Sequence, residues 1–165
     1  WTHSIPKLEN LYEAFPNAYF NIDAKSWNCV DPLVDLVRRT NTSKRTCFGS
    51  FDQARLDRIT SNLMHETLAH SLGTRGVISL YLGYLTGKSH TIRADCAQLP
   101  LSHLGINLVN KKTLAYFQSL GLKIHVWTIN KASEFQRLID LGVDGIMTDD
   151  CELLKSVLEK NNLWL

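Results

Sequence analysis

The chain has 165 residues and a formal net charge of +2, and 44% of its residues are hydrophobic while 21% are charged. This is the composition of an ordinary globular protein, so we expect one domain over residues 1–165 and exclude a disordered or low-complexity chain. The lysines and arginines are scattered along the chain and form no basic stripe, which argues against a nucleic-acid partner.

The first half of the chain alternates helical and strand patterns. Apolar residues at helical spacing predict a helix over residues 8–15, which Pro16 ends. Ser50-Phe51-Asp52-Gln53 has the S-x-x-Q form of a capping box, so we expect Ser50 to begin a helix there. Strands are predicted at 19–25, 45–49 and within 65–71, and further helices after Asp31-Pro32 and over 75–84.

In the second half of the chain, strand and helical patterns alternate more clearly. Gly121 and Gly142 stand where left-handed helix C-caps belong. Asn130 and Asp149 each precede a predicted helix, and we interpret both as N-caps, Asp149 together with Glu152. Strands are predicted at 94–99, 123–128 and 144–148, and helices over 110–120, 131–141 and 151–160.

Strands that alternate with helices predict an α/β fold with about six parallel βα units. The pattern fits a TIM-type (β/α) barrel, incomplete because its first two strands are missing, since such a barrel closes with eight strands. It fits an open, doubly wound sheet equally well. Six strands leave two sheet edges unpaired, at the strands of Asp23 and Met147, so we expect self-association through these edges.

Three further observations concern the membrane, the thiols and phosphate loops. The longest nearly apolar stretch, residues 76–87, is far shorter than the roughly 20 residues of a membrane helix. The chain opens without Met or a signal peptide, and its cysteines form no CxxC pair, so we expect reduced core thiols and a cytoplasmic protein without a membrane span. Gly87-Lys88-Ser89 lacks an upstream glycine at phosphate-loop spacing, and we interpret it as a plain loop. The cysteines are Cys29, Cys47, Cys96 and Cys151.

Two predicted strands carry a row of polar side chains on one face. Parallel strands are normally apolar on both faces, so a polar row marks either an exposed edge or the inner face of a barrel near a functional site. We expect a polar barrel interior, with Asp23, Lys25 and Trp127 converging on one cavity. The two rows are Asn21, Asp23 and Lys25 in the first strand, and Lys123, His125 and Trp127 in the second.

Asp23 and Lys25 lie at the carboxyl end of their strand, where (β/α) barrels place their functional groups. A carboxylate can bind a divalent cation, and an ammonium two residues later on the same face can neutralise a phosphate oxygen. This pairing of charges is what the transition state of a phosphodiester requires.

Four segments carry a resemblance that extends over nearly the whole chain. They are Ile5-Pro6-Lys7-Leu8-Glu9, Phe20-Asn21-Ile22-Asp23-Ala24-Lys25, Val126-Trp127-Thr128-Ile129-Asn130 and Gly142-Val143-Asp144-Gly145-Ile146-Met147-Thr148-Asp149. In order and spacing they resemble the landmarks of the glycerophosphodiester phosphodiesterases, and the last two segments are the most specific. The resemblance implies a (β/α) barrel enzyme of phospholipid catabolism that hydrolyses a glycerophosphodiester to glycerol 3-phosphate and an alcohol, using Mg²⁺ or Ca²⁺.

The resemblance also implies roles for individual residues. Asp23 is similar to the metal-binding carboxylate of the family, where many members have Glu, and its side chain is one methylene shorter. Lys25 resembles the lysine that neutralises the phosphate. Trp127 resembles the aromatic wall of the substrate cleft, and Phe51 and Gln98 are implied as further lining residues.

The catalytic histidines of the family have no counterpart in this chain. Family members begin with a strand ending in His-Arg-Gly, a Glu-x-Asp metal pair and a His-Asp motif, and none of these occurs here. We therefore expect no turnover by this polypeptide alone, because two metal ligands and both acid/base groups are missing. The histidines outside that context are His3, His65, His70, His90, His103 and His125.

The same residues also have simpler structural interpretations, and the chain has alternative functions. Asp23 and Lys25 could form an exposed pair on an edge strand, Trp127 could fill the core, and His125 is interpreted as a core histidine. The chain could be a non-catalytic binding or scaffold module that kept the barrel. It could also be another phosphate-binding α/β barrel, but that needs a glycine-rich loop after the last strands, where Thr148-Asp149-Asp150 repels phosphate.

Overall fold

The computed structural model describes residues 4–87 and 92–164. The chain divides into two compact units, Trp1–Gly76 and Val77–Leu165, and each contains a three-stranded parallel sheet. The single domain expected from composition therefore stays a prediction. Lys88 and Ser89 of the predicted loop, with His3 and His90, lie outside the described residues.

The first unit has the predicted order of helices and strands. Its sheet runs β1-β2-β3, and the register pairs Asp23 with Gly49 at the carboxyl ends of β1 and β2. Helix α4 begins in this unit and continues into the second. The elements are α1 (Leu8–Ala14), β1 (Phe20–Asp23), α2 (Val30–Thr40), β2 (Thr46–Gly49), α3 (Gln53–Asn62), β3 (Ala69–His70) and α4 (Thr74–Thr86).

The core of the first unit lies on the apolar face of β1. Phe20 and Ile22 pack against the core while Asn21 and Asp23 are exposed, so the predicted alternation is confirmed. The leading helix joins this core through Tyr12, which is 2% exposed and whose hydroxyl lies 2.9 Å from Thr46 Oγ1. The largest fully buried side chains of this unit are Phe48, Leu56, Ile59 and Leu63.

Ser50 does not cap α3, which corrects the predicted capping box. The helix begins at Gln53, and its N-cap is Asp52, whose carboxylate accepts a hydrogen bond from the Ala54 amide at 3.0 Å. The Ser50 hydroxyl instead donates to the Ala24 carbonyl at 2.9 Å. Ser50 thus ties together the ends of β1 and β2, and the helix starts later than the pattern predicts.

The second unit contains a hairpin that the sequence did not predict. Its main sheet runs β4-β7-β8, all parallel, while β5 and β6 pair antiparallel across a turn at Leu104-Gly105, where φ is 50° and 77°. The elements are β4 (Cys96–Pro100), β5 (Ser102–His103), β6 (Ile106–Asn107), α5 (Lys111–Ser119), β7 (Lys123–Trp127), α6 (Ala132–Leu141), β8 (Gly145–Ile146) and α7 (Cys151–Lys160).

Two predicted N-caps in this unit are wrong. Helix α6 begins after Lys131, which makes no side-chain cap, and Asn130 stands before that position. Helix α7 is capped by Asp150, whose carboxylate accepts from the Leu153 amide at 3.0 Å, and not by Asp149. The predicted C-cap is confirmed at Gly142, where φ is 85° and the helix ends in the left-handed conformation that glycine adopts without steric cost.

The strand of Asp23 and the strand that precedes Met147, β1 and β8, end their respective sheets, so self-association through these edges stays a prediction. None of the four cysteines, which all lie in the described part of the chain, forms a disulfide, but Cys151 is exposed, so the expectation of core thiols is wrong for that residue. Within the described part of the chain, no helix is long and apolar enough to cross a membrane.

Candidate functional site

Four of the five candidate residues lie at or just after the carboxyl end of a strand, and Gln98 lies in the middle of β4. In the first unit Asp23 ends β1, and Lys25 and Phe51 follow β1 and β2. In the second unit Gln98 lies in β4 and Trp127 ends β7. The structure brings the first three into contact and sets the other two on neighbouring strands. The convergence of the two sets on one cavity stays a prediction.

The Lys25 ammonium lies between a carboxylate and an aromatic ring. Its Nζ is 2.5 Å from Asp23 Oδ2 and 5.1 Å from the centre of the Phe51 ring. The lysine side chain is 72% exposed, so this cation remains open to an incoming anion. An exposed ion pair contributes only about 0–1 kcal/mol to stability. The simpler interpretation, an exposed pair on an edge strand, fits the same geometry.

Backbone contacts hold this corner of the first unit in place. The Ala24 amide donates to the Gly49 carbonyl at 2.8 Å, which extends the pairing of β1 and β2 by one residue. The Ser50 hydroxyl adds a second hydrogen bond at the same place, to the Ala24 carbonyl. Because Ala24 is 1% exposed, the backbone that carries Asp23 and Lys25 is anchored on a buried residue.

The described residues do not fit a complete metal site. Mg²⁺ and Ca²⁺ are bound by about six or more oxygen ligands, of which carboxylates are the strongest that proteins supply. Asp23 offers one carboxylate, and it already accepts a hydrogen bond from Lys25. Across residues 4–87 and 92–164, no group of three or more His, Cys, Asp or Glu side chains could hold a metal ion.

The second unit presents Gln98 and Trp127 on one face of its sheet. The β4–β7 register pairs Gln98 with His125 and Pro100 with Trp127, and paired residues of parallel strands point to the same side. All four are half-buried, whereas the alternate residues of β4 and β7 are buried. Trp127 therefore does not belong to the fully buried core, and its predicted place in the substrate cleft stays a prediction.

Asn130 links the loops that follow β7 and β8, a role that the sequence analysis missed. Its side-chain carbonyl accepts from the Thr148 hydroxyl at 3.0 Å and from the Asp149 amide at 2.9 Å. Its amide group donates to the Asp149 carboxylate at 2.9 Å. The sequence could have indicated this link, because Asn130 follows β7 and Thr148-Asp149 follow β8, and the carboxyl ends of neighbouring parallel strands lie at the same edge of the sheet.

His125 is half-buried beside an acidic group and a basic group. Burial lowers the pKa of its imidazole and Lys123 lowers it further, while the Asp144 carboxylate opposes them. Burial tends to raise the pKa of Asp144, but hydrogen bonds from Gln118, the Ile124 amide and Lys123 leave that pKa lowered overall. The predicted core histidine is thus only partly enclosed, and its ring packs against Gly145, where a Cβ would lie 2.8 Å from His125 Cδ2.

We expect the protein to lose stability as the pH falls from 7.5 to 5, in part through His125. Its pKa is lower in the folded than in the unfolded state, so the unfolded state binds the proton more readily and acidification favours unfolding. The His125→Gln variant should show a shallower fall of the urea midpoint over this range. His65→Gln, at an exposed histidine, is the control and should follow the wild-type curve; equal slopes for all three proteins would contradict the prediction.

The sequence of the chain matches a known protein family and several of its members. The sequence model of the glycerophosphoryl diester phosphodiesterase family matches residues 7–153. A protein of Mycobacterium tuberculosis, named probable glycerophosphodiester phosphodiesterase 2, is 33% identical over 98% of this chain and 62% of its own length. The glycerophosphodiester phosphodiesterase of Caldanaerobacter subterraneus is 42% identical over 94% of this chain and 63% of its own length.

Structural similarity agrees with the sequence matches. The crystal structure of a glycerophosphodiester phosphodiesterase from Agrobacterium tumefaciens superposes with a TM-score of 0.70 at 17% identity, over 93% of this chain and 62% of that one. At such identity the likeness shows the fold alone, an incomplete (β/α) barrel, and it decides against the doubly wound sheet. The chain spans less than two thirds of the length of these relatives.

Proposed function

Because the chain belongs to the glycerophosphoryl diester phosphodiesterase family, we propose that it forms part of an enzyme that hydrolyses glycerophosphodiesters to glycerol 3-phosphate and an alcohol. The observation that carries the proposal is the family match over residues 7–153 together with the exposed Lys25 ammonium at the carboxyl end of a barrel strand. Barrel enzymes place their chemistry at that end.

Lys25 is the residue proposed to act on the reacting group. Hydrolysis of a phosphodiester places negative charge on the phosphate oxygens as water attacks and the alcohol leaves. An ammonium within contact of those oxygens stabilises that charge more in the transition state than in the ground state. The carboxylate of Asp23 orients the lysine side chain, and the Phe51 ring supports it from another side.

The other candidate residues bind and do not react. We propose that Trp127, Phe51 and Gln98 line the substrate cleft, and that Asp23 contributes one carboxylate to the divalent cation, Mg²⁺ or Ca²⁺, that the family resemblance implies. The described residues include no group of three or more His, Cys, Asp or Glu side chains that could hold a metal ion, and the histidine motifs of the family have no counterpart in the sequence. Turnover is therefore proposed to require residues outside this chain.

A non-catalytic binding or scaffold module is the second candidate function. The observation that favours it is the lack of any metal-ligand cluster within the described residues. Such a module would keep the barrel strands and the Lys25 corner but would bind a phosphodiester without cleaving it.

Release of glycerol 3-phosphate separates the two candidates. The full-length protein encoded by the gene and the 165-residue chain are each incubated with glycerophosphocholine and Mg²⁺ or Ca²⁺, and the product is measured with glycerol-3-phosphate dehydrogenase. We expect turnover by the full-length protein, loss of turnover on chelation, and none by the chain alone. Absence of hydrolysis by the full-length protein with either cation would overturn the enzyme proposal and favour the scaffold.

A further inference from the structure

A cavity of about 340 Å³ lies in the first unit at the carboxyl ends of β2 and β3. One part of its wall follows β2 and the other follows β3, so the cavity opens on the side where barrel enzymes bind their substrates. Its volume is at the small end of the range of about 300–1,000 Å³ that small-molecule sites occupy. The lining residues are Phe51, Asp52, Gln53, Ala54, Thr74 and Arg75.

Two hydrogen bonds hold the walls of this cavity together. The Gly73 amide donates to Gln53 Oε1 at 2.9 Å, and the Thr74 amide donates to the Phe51 carbonyl at 3.0 Å. A Cβ at position 73 would lie 2.9 Å from the Gln53 backbone nitrogen, so only glycine permits this approach. The start of α4, and with it Arg75, is thereby fixed relative to the loop after β2.

The charges of the lining do not cancel. The Asp52 carboxylate accepts from the Ala54 amide and lies 3.6 Å from Arg55 Nε, so its charge is compensated within α3. Arg75 is exposed, and within residues 4–87 and 92–164 its guanidinium makes no hydrogen bond or ion pair. The cavity therefore carries one uncompensated positive charge, which attracts an anion.

Phe51 connects this cavity with the Lys25 corner. Its ring lines the cavity and also lies 5.1 Å from the Lys25 ammonium. Lys25 is paired with Asp23, whereas Arg75 has no such partner, so the two cations are not equivalent. Because Phe51 both contacts Lys25 and lines the cavity, a ligand whose phosphate lies at Lys25 can reach the cavity with its next substituent.

We propose that this cavity binds the alcohol part of a glycerophosphodiester whose headgroup carries a second anionic group, a carboxylate or a phosphate, and that Arg75 is the residue that selects it. The inference rests on the proposed function and adds the substrate class. A guanidinium suits the task because its planar donors can bind either anion with two hydrogen bonds.

The test compares substrates that differ by one anionic group. The full-length protein and its Arg75→Gln variant are assayed on glycerophosphoserine against glycerophosphoethanolamine, and on glycerophosphoinositol 4-phosphate against glycerophosphoinositol. We expect the variant to lose about 10-fold or more in kcat/KM on the anionic member of at least one pair, mainly through KM, since a charged hydrogen bond contributes about 1.5–3 kcal/mol. The pair that responds identifies the anion as carboxylate or phosphate.

The neutral members and a second arginine provide the controls. Loss on the partner substrates should stay within about twofold, and Arg58→Gln, an exposed arginine 3.6 Å from Asp31, should change neither pair beyond about twofold. Equal losses on both members of each pair, or no loss on either, would overturn the proposal.

A binding experiment separates this inference from the proposed function. O-phospho-L-serine and phosphoethanolamine are titrated into the full-length protein and its Arg75→Gln variant by calorimetry. Binding of phosphoserine that is tighter than that of phosphoethanolamine and depends on Arg75 would support the cavity even if no diester were hydrolysed. Equal affinities of the two proteins for phosphoserine, together with no selective loss on the inositol pair, would reject it.

Discussion

Replacement of Lys25 by methionine is expected to lower kcat/KM of the full-length protein for glycerophosphodiesters by roughly 10²–10³-fold. The ammonium is the charge proposed to meet the phosphate oxygens, and removal of one such stabilising group from an active site has effects of this size. Methionine keeps an unbranched side chain that is one atom shorter and removes the ammonium with its contacts to Asp23 and Phe51. The loss should appear mainly in kcat, because the phosphate is already a monoanion when bound and its oxygens gain further charge as water attacks.

The same variant should fold as well as the wild type. Lys25 is 72% exposed, so loss of its pair with Asp23 should change the free energy of unfolding by no more than about 1 kcal/mol. Lys25→Arg should recover part of the activity, and Lys111→Gln, an exposed lysine at the start of α5, serves as the matched control. If Lys25→Met kept full activity, the exposed pair on an edge strand would be the correct interpretation.

Replacement of Phe48 by alanine is expected to lower the free energy of unfolding by about 3–5 kcal/mol, as measured by urea denaturation. Phe48 is 0% exposed and lies in the central strand of the first sheet, where its ring cannot be replaced without leaving a cavity. Phe135 in α6 of the second unit is also 0% exposed, and Phe135→Ala should lower the free energy of unfolding by a similar amount.

This pair of variants also tests the prediction of one domain. If the two units unfold together, each variant shifts a single transition that all probes share. If they unfold separately, Phe48→Ala shifts one transition and Phe135→Ala another, and the single domain is wrong. Phe15→Ala is the control, because that ring is 57% exposed and its loss should cost well under the core value. A cost below about 1 kcal/mol for Phe48→Ala would contradict its place in the core.

Much of the fold follows from the local spacing of apolar and polar side chains along the sequence. The period of side chains separates strands from helices, so all seven α-helices and the six parallel strands within residues 4–87 and 92–164 were predicted in the right order. The polar row on β1 was predicted as well, because alternation along a strand needs no information about neighbours. The hairpin of β5 and β6 was missed: its strands have two residues each, and unlike the equally short β3 and β8 they do not lie within a longer predicted strand.

The three wrong N-cap predictions share one physical cause. Ser50, Asn130 and Asp149 all have side chains that cap helices, and all stand before one, but a polar side chain binds the best partner within reach. Ser50 finds the carbonyl of Ala24, 26 residues away in the chain, and Asn130 finds Thr148 and Asp149. Such partners are brought close only by the folded sheet.

The amino-acid sequence by itself determined the α/β class, the family and the candidates Asp23, Lys25, Phe51, Gln98 and Trp127, because side-chain period and ordered motifs are local properties of the chain. The tertiary structure alone decided that Lys25 lies between Asp23 and Phe51, that Asn130 joins two loops, and that Arg75 faces a cavity without a compensating charge. These are contacts between residues distant in sequence, and their energies depend on distances that only the folded backbone sets.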